Sequence, residues 1–94
     1  MPKLSSKGAA LKHAGHVAWR KVADEAVILD VDTAHYYSLS GPGLRLWELL
    51  GEGRTPQAAC AALAEEYDAP DERIAADVNE LLAALKKEGL LETA

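Results

Sequence analysis

Ninety-four residues with a net charge of −5 and no phenylalanine are enough for one modest domain, expected to bury about 60–65% of the surface its unfolded chain exposes. A single cysteine excludes an internal disulfide and any cysteine-based metal cage, and no apolar run is long enough to span a bilayer or to form a signal core. The charge is uneven: residues 1–23 hold five cations and no acid, whereas residues 24–94 carry five cations against fifteen acids, so the bulk of the chain is a poor match for phosphate.

Residues 1–15, MPKLSSKGAALKHAG, show no sustained period and are expected to be a mobile basic arm ahead of a domain over 16–94. His13 and His16 lack a third ligand nearby in sequence and are read as incidental surface histidines. Three strand patterns follow. HVAWRKV (residues 16–22) alternates, with Val17 and Trp19 on one face. AVILDVD (residues 26–32) sets Val27, Leu29 and Val31 opposite Asp30, and His35-Tyr36-Tyr37-Ser38-Leu39 sets Tyr37 and Leu39 opposite Tyr36 and Ser38. Short turns at Ala23–Glu25 and Asp32-Thr33 favour an antiparallel meander with the first and third strands at its edges, the second turn closed by Asp32 bonding its own downstream backbone.

At Ser40-Gly41-Pro42-Gly43 the period changes to that of a helix, with Leu44, Trp47 and Leu50 on one face and Gly51 and Gly53 as the stop. Thr55-Pro56 opens a second helix that runs to about Tyr67. A third runs from Asp71-Glu72 to about Lys87, with acids at its positive end, lysines at its negative end and Ile74, Val78, Leu81, Leu82 and Leu85 as its apolar face. Gly89-Leu90 ends it. Three strands and then three helices imply an α+β domain, a three-stranded antiparallel sheet packed on helices.

Phosphate loops, GxSxG, HExxH and CxxC are all missing, and no catalytic residue, metal site or cofactor is assigned. Cys60 lies in an alanine-rich helix as a small packed thiol. The remaining anomaly is the third strand. An edge strand is normally blunted by lysine, proline or a bulge, and His35–Leu39 carries none of these, which suits the addition of a guest strand.

The order Val27-Ile28-Leu29-Asp30, His35–Ser40, Gly43, Leu46–Gly51, Thr55-Pro56, Asp77-Val78, Leu81-Leu82 and Gly89-Leu90-Leu91 resembles the PqqD-like proteins over residues 16–92. The resemblance implies a winged helix-turn-helix fold. It also implies a non-catalytic, cytoplasmic role as a recognition element in the making of ribosomal, post-translationally modified peptides. The leader of a precursor peptide would pair with the third strand, and the third helix would form the other wall. Carried onto this chain, the strand side is His35, Tyr36, Tyr37, Ser38 and Leu39, and the helix side is Arg73, Ile74, Asp77, Val78 and Leu81. A free-standing chain of this size looks most like the recognition subunit of lasso-peptide pathways, with a separate leader peptidase or other modifying enzyme as partner and neither nucleic acid nor membrane. Ser40 departs from the asparagine typical of the quinone-cofactor branch, while keeping a residue able to cap a helix. Two other readings are weighed: a winged-helix DNA-binding regulator, disfavoured by Asp71, Glu72, Asp77 and Glu80 against Arg73 alone on the first part of the third helix, and a homodimer paired through the third strand.

Overall fold

The computed structural model describes residues 11–93. In chain order the elements are β1 (Leu11–His13), β2 (Val17–Val22), β3 (Glu25–Asp30), β4 (His35–Ser40), α1 (Gly41–Gly51), α2 (Pro56–Tyr67), α3 (Asp71–Lys87) and β5 (Leu91–Thr93). Strands β2-β3-β4 form the expected antiparallel meander with β2 and β4 as its edges, and α1, α2 and α3 follow.

The helix termini follow their local chemistry. Thr55 caps α2 by accepting from the Ala58 amide at 3.1 Å. Ser40 stands at the N-cap of α1 in extended conformation but makes no side-chain bond to it. Past α3, Gly89 takes φ +77, the left-handed conformation that lets the Leu90 amide turn back to the Leu85 carbonyl at 2.9 Å and buries Leu90 completely.

Helix α1 is the centre of the core. Leu46, Trp47 and Leu49 are fully buried, and Leu44 and Leu50 nearly so, a broader inward stripe than Leu44, Trp47 and Leu50 alone. Beneath them sit Ala26 and Ile28 of β3, Ala59 and Leu63 of α2, and Ile74, Val78, Leu82 and Leu85 of α3. Each fully buried leucine or isoleucine contributes on the order of 1.5–3 kcal/mol relative to an exposed one. At the surface, Arg45 joins α1 to α2 through Glu66 at 3.1 Å and reaches Glu48 at 3.5 Å.

Four features depart from the sequence reading. The arm expected to run to residue 15 is interrupted at Leu11–His13, because Leu11 is buried and β1 pairs antiparallel with β5, Leu11 opposite Thr93. The rest of that expectation, residues 1–10, lies outside the described residues. In β3 the core-facing set is Ala26, Ile28 and Asp30, and Val27 and Leu29 face outward. The turn after β3 is held by Asp30, whose Oδ1 accepts from the Asp32 and Thr33 amides at 3.0 and 3.2 Å.

The fourth departure is His13, which is no incidental surface group. Its ring stacks on Trp47 at 3.7 Å between centroids and 7° between planes, and Nε2–H donates to the Trp47 carbonyl at 2.9 Å. Trp19 meets both rings edge-on. Partial burial lowers the His13 pKa below 6.5, and the hydrogen bond to Trp47 offsets only part of that. The unfolded chain therefore binds a proton at His13 more readily than the folded one. The stability held by the neutral ring is complete above pH ~6.5 and falls as pH drops through the lower folded value. Denaturant melts at pH 7.5 and 5.5 are expected to show a loss in wild type that shrinks in His13→Gln. An equal loss in both proteins would contradict this.

Candidate functional site

Strand β4 runs straight into α1, and α3 comes close to their junction, where a Cβ on Gly43 would meet both Leu81 of α3 and Leu39 of β4, so the β4 edge and α3 border one candidate groove. On the strand, His35, Tyr36 and Ser38 are exposed and Tyr37 and Leu39 half-buried. Tyr36, 71% exposed, stands on the face of the sheet away from the helices. Tyr37 leans inward, and its hydroxyl donates to Glu88 Oε1 at 3.1 Å, tying β4 to the residue just past α3. Desolvation, and then this bond to Glu88, raise the Tyr37 pKa, so the hydroxyl stays a donor at neutral pH.

The helix wall divides by depth. Ile74 and Val78 are buried, Leu81 is half-buried, and Arg73 and Asp77 are exposed with Arg73 Nε 4.0 Å from Asp77 Oδ2. These side chains meet α1 and α2 around a cavity of about 150 Å³ lined by Pro42, Gly43, Leu46, Leu63, Ile74, Asp77, Val78 and Leu81. All but Asp77 and Gly43 are apolar side chains, and Asp77 supplies the charged rim. Gly43 is the hinge point of the groove: a Cβ there would sit 3.5 Å from Leu81 Cδ2 and 3.7 Å from Leu39. The sequence-derived helix residues Ile74, Asp77, Val78 and Leu81 therefore share one cavity, Arg73 flanks it, and the strand residues His35–Leu39 form the neighbouring edge rather than the cavity lining. The sequence reading places Pro42 and Gly43 at the helix entry and counts Gly43 and Leu46 toward the family resemblance, but it gives none of Pro42, Gly43, Leu46 and Leu63 a part in the site.

Other recesses differ in character. A shallow hollow of about 610 Å³ between α2 and α3 is lined by Cys60, three alanines, Glu65 and Asp71, and burial pushes the Cys60 thiol pKa up, away from the reactive thiolate. His16, Asp30 and Asp32 bring ligand-type atoms within 4.8 Å of one another. Asp30 already uses Oδ1 on the turn amides and places Oδ2 3.5 Å from His16 Nε2, a sufficient structural account of that cluster.

A strand edge that no other described strand pairs with, beside an aliphatic cavity, is a geometry suited to an extended peptide, whose backbone could pair with the edge while an apolar side chain enters the cavity. Among the described residues no helix is long and apolar enough to cross a membrane. Comparison with known proteins agrees with this geometry. The chain is similar to TbiB1, solved in complex with the TbiA(beta) leader peptide, at 33% identity and TM-score 0.83, covering 86% of this chain and 94% of that one. It shares the fold of a lasso peptide synthetase B1 complexed with the leader peptide, at 20% identity and TM-score 0.82, covering 89% of this chain and 99% of that one. No curated protein sequence matches. Residues 25–91 match the family described as coenzyme PQQ synthesis protein D, and the chain belongs to the PqqD family.

Proposed function

We propose that this protein is a non-catalytic recognition element that binds the leader segment of a precursor peptide along β4 and α3 and presents it to a separate maturation enzyme, a leader peptidase or other modifying enzyme, in the cytoplasm. The observation that carries the reading is the free β4 edge beside the aliphatic cavity, in a chain similar over 86% of its length to a protein solved with a leader peptide bound. His35, Tyr36, Tyr37, Ser38 and Leu39 would supply the strand side, and Arg73, Ile74, Asp77, Val78 and Leu81 the helix side. Lasso-peptide maturation is the favoured pathway, because both similar structures are of that kind or hold a leader peptide.

A strand of about ten residues with one or two filled pockets is expected to bind with sub-micromolar affinity, about −8 to −9 kcal/mol. Fluorescence anisotropy of a labelled leader, from a short precursor reading frame sought beside the gene for this chain, measures it directly. Saturable binding at or below ~1 μM supports the reading, and no saturation at 100 μM would overturn it. The DNA-binding alternative gains nothing from α3, whose exposed charges before Leu82 are Asp71, Glu72, Asp77 and Glu80 against Arg73.

A further inference from the structure

The cavity explains how an apolar side chain is held, but not why a carboxylate stands on its rim. On α3, Arg73, Asp77 and Glu80 follow one another at four- and three-residue spacing. They form a charged stripe directly beside the apolar stripe Ile74, Val78 and Leu81. Of the three, Asp77 lines the cavity, and its side chain is 70% exposed. Among the described residues its one ion pair is with Arg73 at 4.0 Å, itself 77% exposed, a contact at the outer limit of an ion pair.

Among the described residues, several other cations are engaged elsewhere or stand away from the cavity lining. Arg45 is held by Glu66 and Glu48, and Arg54 lies 4.0 Å from Glu52. Lys86 and Lys87 stand in the last turn of α3, whereas the cavity is lined by its residues 74–81. Glu80 stands next along the stripe, so this stretch of α3 carries two carboxylates against Arg73, and Glu88 adds a third where it accepts from Tyr37.

In a strand paired to β4, residues two before and two after the cavity-filling side chain point to the same wall, about 6.6–6.8 Å away along the chain. Asp77 stands on the α3 wall at the cavity's edge. We propose that α3 reads charge as well as shape: Asp77 selects a lysine or arginine two positions from the apolar residue of the bound peptide. This inference rests on the leader-binding reading and adds to it the chemical class of the second recognised side chain. Arg73 acts as a competitor for Asp77 that the peptide's cation displaces.

The test uses the full chain and the labelled leader described above, with each leader position replaced in turn by Lys, Gln or Glu. At ~50 mM salt the Lys version is expected to bind about fivefold more tightly than the Glu version at one position. The ratio should shrink toward one at ~0.5 M salt as screening grows. Asp77→Lys is expected to reverse the preference at that same position, and Arg73→Gln to raise it. Reversal is the decisive readout, since general damage to the fold weakens all versions together, and thermal melts of both variants check that they fold. A leader that binds with no Lys-over-Glu preference at any position, or with a preference that Asp77→Lys leaves intact, overturns the inference while leaving leader binding standing. Failure of the unsubstituted leader to bind is instead the failure of the parent reading.

Discussion

N-methylation of single amides along the bound leader is expected to weaken binding more than tenfold at every second residue and less than twofold at the residues between. Adding a strand to β4 engages the backbone of alternate residues only, because successive N–H groups of a strand point to opposite sides. A methyl on an amide facing β4 removes one hydrogen bond, leaves a β4 carbonyl without its partner and intrudes on the strand spacing of about 4.8 Å. A methyl on an outward amide meets solvent. A net loss of about 1.5 kcal/mol is already tenfold, so the pattern is readable by anisotropy titration.

The period matters more than the size of any one effect. A peptide lying as a helix in the groove would show losses clustered at helical spacing or spread over all internal amides, and a peptide held by side chains alone would show little loss anywhere. A two-residue alternation therefore separates strand addition from both, and its absence would remove β4 from the site even if binding itself is tight. The protein is left unaltered, which avoids the ambiguity of a proline placed in β4, where at alternate residues the lost donor belongs to the ladder with β3 instead of to the open edge.

Much of this arrangement is legible in the chain, because period two and period 3.6 are strong signals over six or more residues. Strands β2, β3 and β4 and all three helices fall where the alternation and the apolar stripes put them. Strands β1 and β5 do not announce themselves. Each is three residues long, and their pairing joins positions about eighty residues apart through little more than Leu11 and Leu91. The inward face of β3 also ran against hydrophobicity. Val27, Leu29 and Val31 look like the core set, yet Ala26, Ile28 and Asp30 are buried, since the Asp30 carboxylate is consumed by the turn while a small Ala26 lies beneath α1. At the site, the apolar stripe of α3 can be read from spacing. The contribution of Pro42, Gly43, Leu46 and Leu63 cannot, because three separate helices have to converge before their side chains border one cavity.

Trp47→Ala is expected to cost about 3–5 kcal/mol, out of a total stability of roughly 5–14 kcal/mol for a chain of this length. Trp47 has no exposed surface, and it is the common partner of His13 and Trp19, so its removal undoes the stack that fixes β1 as well as the centre of α1. The indole has one weakness: its Nε1–H is buried with no hydrogen-bond partner among the described residues. Leaving such a donor unpaired offsets part of what the ring contributes. Trp47→Phe deletes that donor along with some volume and keeps an aromatic face for His13, so its cost should fall well below that of alanine, at about 1–2 kcal/mol. Urea melts of the two variants decide the point. If phenylalanine proves as damaging as alanine, the full indole is required at this point of the core and the unpaired donor carries no weight. A gap of 2 kcal/mol or more shows that the stacking face, rather than the full indole, is what holds the amino-terminal strand onto the helices.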